Sequence, residues 1–247
     1  MIEFATIFFF AILQSIFGIG ILFFGTPTLL LLGFPFAETL SVLLPASLAV
    51  SVFQVIGFGL PEPNHVRMYV LWCLFPLAIS MFSGLALGWD IELESVVAAI
   101  LLIYVIIRLS PRMENVLRDT VRRLPQAWLV AIGTVHGFSN LGGGLLAIFA
   151  ASRFKEKREV RGNIAFCYMC FATIQLATLA YLRPDVTQFV QLGYAGLAIV
   201  VFVIVDRLIF GAIVTPLFDR ILTVVIGCYS ALIFLKLFGV IANATAV

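Results

Sequence analysis

The sequence predicts an all-α integral membrane protein of two inverted repeats, each a re-entrant or broken helical hairpin followed by three transmembrane helices. Three observations lead there. The first is composition: of 247 residues, 62% are hydrophobic and 11% charged, against roughly 45–50% and about 25% in ordinary globular chains. A soluble fold of this length cannot bury that much apolar surface, which excludes a soluble enzyme, a disordered chain and a disulfide-stapled secreted domain. The second is the presence of eight apolar segments, most of them near the ~20 residues a membrane helix requires. The third is the placement of the basic residues, which share one face only if two of the eight segments do not cross.

The segments fall at about 4–32, 40–60, 67–88, 93–109, 126–151, 162–182, 189–206 and 220–238. The first, following Met1-Ile2-Glu3, has neither a basic leader nor a small-residue cleavage site, so it reads as retained. Its middle is interrupted by glycine and small polar residues, as is the middle of the fifth. Leu60-Pro61-Glu62-Pro63-Asn64-His65-Val66 separates the second segment from the third, and the acidic stretch 89–94 separates the third from the fourth. The longest polar stretch, 110–125, carries Arg112, Arg118, Arg122 and Arg123 and divides the chain into a first repeat (1–109) and a second (126–247). Gln14–Gly20 aligns with His136–Gly142 at an offset of 122 residues, and Gln54 with Gln175 at 121. Cys73, Cys167, Cys170 and Cys228 all lie in apolar runs and read as small packing residues. Although Cys167 and Cys170 have C-x-x-C spacing, no second pair or histidine cluster completes a metal site.

Cytoplasmic loops collect Lys and Arg. With eight full crossings, the basic stretches 110–125 and 152–161 would lie on opposite faces. With segments 1 and 5 re-entrant, 13 of the 15 basic residues share one side, leaving Arg183 and Lys236 on the other. Two arms of about 13 residues, roughly 20 Å each, also suit a hairpin that turns inside a ~30 Å core. A hairpin plus three crossings inverts the second repeat relative to the first. That is a recurrent plan of secondary transporters, whose broken helices meet near the membrane midplane.

The breaks carry the chemistry. Gly142-Gly143-Gly144 weakens a helix by ~1 kcal/mol per glycine relative to alanine, permitting either unwound backbone or very close helix contact. Irregular backbone at membrane depth persists only where protein buries it or a wet cavity adjoins it. A half-helix beginning there aims free N–H groups at an anion. His136, Ser139 and Asn140 add donors, and Gln14, Ser15, Gly18 and Gly20 are their first-repeat counterparts. Gln54 and Gln175 are second candidates for the same cavity. The competing reading is helix packing, in which small residues allow close approach and polar ones bond across helices; Ser47, Ser51 and Thr178 are assigned to it.

No Asp or Glu occupies the middle of a span, which disfavours a cation path or an acidic proton relay. His136 is a possible link to protons, and His65 sits in a Pro-rich loop. The basic run 152–161 reads as a topology determinant beside anionic lipid rather than a nucleic-acid patch, with Arg153 and Arg161 flanking the hairpin ends. No nucleotide-binding motif or cofactor requirement is evident.

The two-half layout, Gly137-Phe-Ser-Asn-Leu-Gly142-Gly143-Gly144 followed by a basic stretch ending Arg161-Gly162-Asn163, and Gly18-Ile-Gly20 with Pro27 and Gly33 downstream, resemble the sulfite exporter TauE/SafE family of membrane permeases. The first-half motif departs from the family pattern, with Ile21 and Leu22 where further glycines are typical. The resemblance implies transport of a small sulfur oxyanion or organosulfonate, such as sulfite, sulfoacetate or a taurine-related compound.

The expectation is a secondary transporter in a bacterial-type inner membrane, working by alternating access. Loops 110–125 and 152–161 would be cytoplasmic. Its partners would be the anion, the bilayer and a coupling proton or sodium, with no nucleic acid. The alternatives are a channel or cation transporter, a non-transporting assembly protein, and an enzyme with Ser139 as nucleophile and His136 as base. The enzyme lacks an orienting acid.

Overall fold

The computed structural model describes residues 1–86 and 93–209, with Ala231 and Leu235. The eighth apolar segment and most of the acidic 89–94 stretch therefore lie outside the described residues. So does Cys228.

Among the described residues the fold is helical. The first apolar segment forms two helices, α1 (Ile2–Phe17) and α2 (Ile21–Leu31). Gly18 ends α1 in the left-handed region (φ 77°), with its N–H donated to the Gln14 carbonyl. The chain then folds back so tightly that a Cβ on Gly20 would lie 2.4 Å from the Gln14 nitrogen and 2.6 Å from the Phe10 carbonyl. After α3 (Phe36–Phe58), α4 (Pro63–Tyr69) continues through a π-helical turn, Val70–Leu74, into α5 (Phe75–Ala86). α6 spans Leu93–Leu109.

The stretch expected to be a polar linker is itself a helix, α7 (Pro111–Arg123), capped by the Ser110 hydroxyl accepting from the Met113 N–H. Its sequence is amphipathic: Leu117 and Val121, four residues apart, are partly and fully buried, while Arg112, Arg122 and Arg123 are exposed. Composition alone marked it polar, whereas the helical spacing of its few apolar residues determines its structure.

The fifth segment also forms two helices, α8 (Pro125–Ser139) and α9 (Gly142–Arg153). The interruption falls at Asn140-Leu141, not within the glycine run. Asn140 takes the left-handed conformation (φ 62°) and caps α8 by donating its N–H to the His136 carbonyl; Asn tolerates this region better than most residues. The three glycines belong to the first turn of α9, where they permit close contact. α10 (Lys157–Leu182), a short 3₁₀ turn at Pro184–Val186 and α11 (Val190–Ile209) follow. The basic 152–161 stretch is thus largely helical, with only 154–156 between α9 and α10.

α3 and α10 pack together at the centre, with α11 against α3 and α1. α8 approaches the π-helical turn and α5 very closely: a Cβ on Gly133 would collide with the Cys73 carbonyl of the turn, and one on Gly137 with the Ser80 hydroxyl of α5. This is the small-xxx-small contact common between membrane helices. The outward faces are apolar. Leu71, Trp72, Phe75, Ile79 and Phe82 are exposed along the α4–α5 rod, as are Leu102, Ile103 and Ile106 on α6. Soluble monomers rarely show such continuous apolar surface. The three helical rods Phe36–Phe58, Pro63–Ala86 and Lys157–Leu182 are long and apolar enough to cross a bilayer.

Candidate functional site

The two breaks have matching geometry. Gly18 and Asn140, 122 residues apart, share the left-handed conformation and the same cap bond, to Gln14 and His136 respectively. A Cβ on Gly142 would lie 2.6 Å from the Ile132 carbonyl and 3.0 Å from the His136 nitrogen. Those neighbours are the 122-residue counterparts of the atoms Gly20 meets. The flanking long helix supplies a glutamine to each break: Gln54 Nε2 donates to the Gln14 carbonyl at 3.0 Å, and Gln175 Nε2 to the His136 carbonyl at 3.5 Å.

The side chains filling the two breaks differ. In the first, fully buried Gln14 donates from Nε2 to the Ser47 carbonyl (3.2 Å) and the Ser51 hydroxyl (3.2 Å). Its Oε1 accepts the Ile21 N–H at 3.1 Å, capping α2. Ser15 donates its hydroxyl to Ala11, four residues back, and its carbonyl accepts from Arg161 Nη2. In the second break, Asn140 Oδ1 accepts from Gln175 Nε2 at 2.7 Å, while Asn140 Nδ2 donates to the Thr26 hydroxyl at 3.2 Å. That last bond joins the second break to α2 of the first half. Ser139 donates to the Val135 carbonyl and accepts the Leu141 N–H. It is held in local backbone bonds and has no bond to His136.

The glycines of α9 receive two tyrosines. A Cβ on Gly143 would collide with the Tyr168 hydroxyl, and one on Gly144 would lie 2.7 Å from the Tyr104 ring. The Tyr104 hydroxyl donates to the Leu141 carbonyl at 3.0 Å and accepts the Leu145 N–H at 2.8 Å. Neither tyrosine was picked out from the sequence. Both stand in apolar runs where aromatics ordinarily signal packing, and only their pairing with a glycine run marks them.

Buried polar atoms in native proteins are overwhelmingly hydrogen-bonded. Here both ring nitrogens of His136, the Tyr168 hydroxyl, and Oε1 of Gln54 and of Gln175 are buried without a partner. The His136 and Tyr168 rings lie 5.6 Å apart, with Phe171 packed 4.4 Å from the imidazole. The structure thus gathers His136, Asn140, Gly142, Gly143 and Gln175 at one break, with Tyr168. It gathers Gln14, Gly18, Gly20 and Gln54 at the other.

A cavity of about 310 Å³ opens beside Gln54, lined by Phe53, Gly57, Phe58, Arg158, Phe202 and Asp206. Arg161 lies close by, stacked on the Phe58 ring at 4.8 Å and 3.9 Å from Asp206. Arg161 is almost fully buried, unlike a solvated loop residue. Cys73, Cys167 and Cys170 are free thiols, and no metal-ligand cluster occurs among the described residues.

The sequence profile of the sulfite exporter TauE/SafE family matches residues 3–238, nearly the whole chain. The chain belongs to that family. It is a family of membrane exporters, and the apolar helices are those of an integral membrane protein. No curated protein and no solved structure matches the chain.

Proposed function

We propose that the protein is a secondary transporter of a small sulfur oxyanion or organosulfonate, bound at the paired helix breaks and moved by alternating access. One observation carries this reading: several buried polar atoms without partners surround two helix interruptions of matching geometry. Such groups are costly in an apolar interior unless a ligand or water meets them. Helix starts, amides, a phenol and an imidazole are neutral or weakly basic donors, suited to an anion that must be released again. Family membership supplies the substrate class.

In this reading the two halves are inverted repeats, with the 110–125 and 152–161 stretches on the cytoplasmic face of an inner membrane. The tips within Gln14–Gly20 and His136–Gly144 flank the substrate, with Gln54 and Gln175 beside them. A proton or sodium gradient drives the cycle. The residues lining the breaks are almost wholly buried, so in this reading the protein opens toward one face for exchange. The cavity at Gln54 and Arg158 is the natural approach from the basic side. Proteoliposomes loaded with sulfite, sulfate, taurine, sulfoacetate, thiosulfate or a carboxylate control test the proposal. Flux of at least one sulfur anion above protein-free vesicles is expected; flux of none contradicts it.

A further inference from the structure

The two breaks share the left-handed turn and its cap bond but not their occupancy, and the difference is specific. Three positions define each: the helix-start N–H, the side chain facing it, and a residue on the flanking long helix. In the first half these are Ile21, Gln14 and Ser47. They are closed into one network, because the Gln14 carboxamide accepts from the Ile21 N–H and donates to the Ser47 carbonyl. The same offsets, 122 and 121 residues, lead to Gly143, His136 and Tyr168 in the second half. There the His136 nitrogens and the Tyr168 hydroxyl have no partner, although all three residues are in close juxtaposition.

The first four N–H groups of a helix lack intrahelical acceptors. At α9 these belong to the N-cap Leu141 and to Gly142, Gly143 and Gly144. Leu141 bonds to the Ser139 hydroxyl and Gly144 to the Leu141 carbonyl. Gly142 packs against His136 and Gly143 against the Tyr168 hydroxyl, so both glycines adjoin the place where Tyr168 and His136 converge.

We infer that the two breaks are not equivalent binding sites: each chain holds one oxyanion, at the start of α9 between the Gly143 N–H, the Tyr168 hydroxyl and the His136 ring. The corresponding place at α2 is permanently filled by the Gln14 carboxamide. The inference rests on the anion-transporter reading and sharpens it to one site and three donors. Gln14 shows what such a place accepts: an oxygen against the helix start. An acceptor-rich ligand with several oxygens can meet a backbone N–H, a phenol and an imidazole together, whereas a cation is repelled by the backbone N–H and the positive end of the helix. Gly143 is required because a side chain there would occupy the position of the Tyr168 hydroxyl.

Isothermal titration of the purified full chain with sulfite, sulfate as comparator, tests the inference on wild type, Tyr168→Phe and His136→Gln. One anion per wild-type chain is expected, weakened roughly tenfold or more by Tyr168→Phe, since a hydrogen bond to a charged group is lost. The empty Tyr168→Phe protein should melt at or above the wild-type temperature, because an unpaired buried hydroxyl has been removed. That combination separates a ligand-facing hydroxyl from a structural one. His136→Gln should reproduce the first-half plug, abolishing binding while keeping the protein folded. Two anions per chain, or unchanged affinity in Tyr168→Phe, overturns the inference while leaving the transporter reading intact. Binding of neither anion by wild type also overturns the inference, while the transporter reading stands or falls on flux of the whole sulfur-anion panel.

Discussion

Replacing Gly20 with alanine should open the first hairpin. The added methyl would lie 2.4 Å from the Gln14 nitrogen, 2.6 Å from the Phe10 carbonyl and 2.9 Å from Gln14 Cα. All three are backbone atoms of α1, so no side-chain rotation relieves the contact. The hairpin must separate by about 1 Å to approach ordinary van der Waals distance. Overpacking typically costs about 1–3 kcal/mol, and a contact with fixed backbone belongs at the upper end, about 3 kcal/mol. At about 2–4 °C per kcal/mol for a chain of this size, the melting midpoint should fall by roughly 6–12 °C. Gly142→Ala should behave alike, meeting the α8 backbone at 2.6 Å. Gly57→Ala and Gly196→Ala serve as controls, since neither added methyl meets anything within 4 Å. Both should leave stability unchanged or raise it by up to ~1 kcal/mol through helix propensity. Thermal unfolding of detergent-purified protein reads all four. Wild-type midpoints in Gly20→Ala and Gly142→Ala would refute the close fold-back at the breaks.

Asn140 combines a conformational role with a bonding one, and two substitutions separate them. Asn140→Gly keeps the left-handed turn but loses the bonds to Thr26 and Gln175. Asn140→Ala loses both and should unfold more readily by about a further 1 kcal/mol, measurable as a lower melting midpoint. Arg161 tethers α10 to the Ser15 carbonyl and faces Asp206. Arg161→Gln should therefore destabilise the fold, with part of the loss recovered in the double variant carrying Asp206→Asn, as a thermal double-mutant cycle would show. Cysteines introduced at Val116 and Lys157 in a cysteine-free background should react with an impermeant maleimide from the same face. Labelling from opposite faces would rule out re-entrant first and fifth segments.

Much of the helical layout was legible because hydropathy in a bilayer is a strong signal. Interruptions in segments 1 and 5 were visible as glycine and small polar residues within long apolar runs. Their exact chemistry was less visible. A glycine run marks either unwinding or close approach, and sequence alone cannot separate the two. Here Asn140 turns the chain while Gly142, Gly143 and Gly144 admit neighbouring backbone and two tyrosines. Gln14 illustrates a different limit: a buried amide reads as a ligand group, yet it bonds across its own hairpin to Ile21 and, more than thirty residues away, to Ser47 and Ser51. Tyr168 was missed because an aromatic in an apolar run looks like packing until its hydroxyl is found without a partner. Arg161 sat in a basic run that read as a topology determinant beside anionic lipid, but the extension of α10 to Lys157 turns it inward onto Phe58. The spacing of Gly133 and Gly137 was available as a close-packing signal, though only the structure names α5 as the partner.

The central claim is that sulfur oxyanions cross the membrane through the paired breaks. Sulfite flux into proteoliposomes containing wild type or His136→Gln tests it most directly. Gradient-driven, saturable uptake by wild type and its loss in the folded His136→Gln variant are the predicted results. Equal uptake by both proteins, or no uptake of any sulfur anion by wild type, would contradict the account.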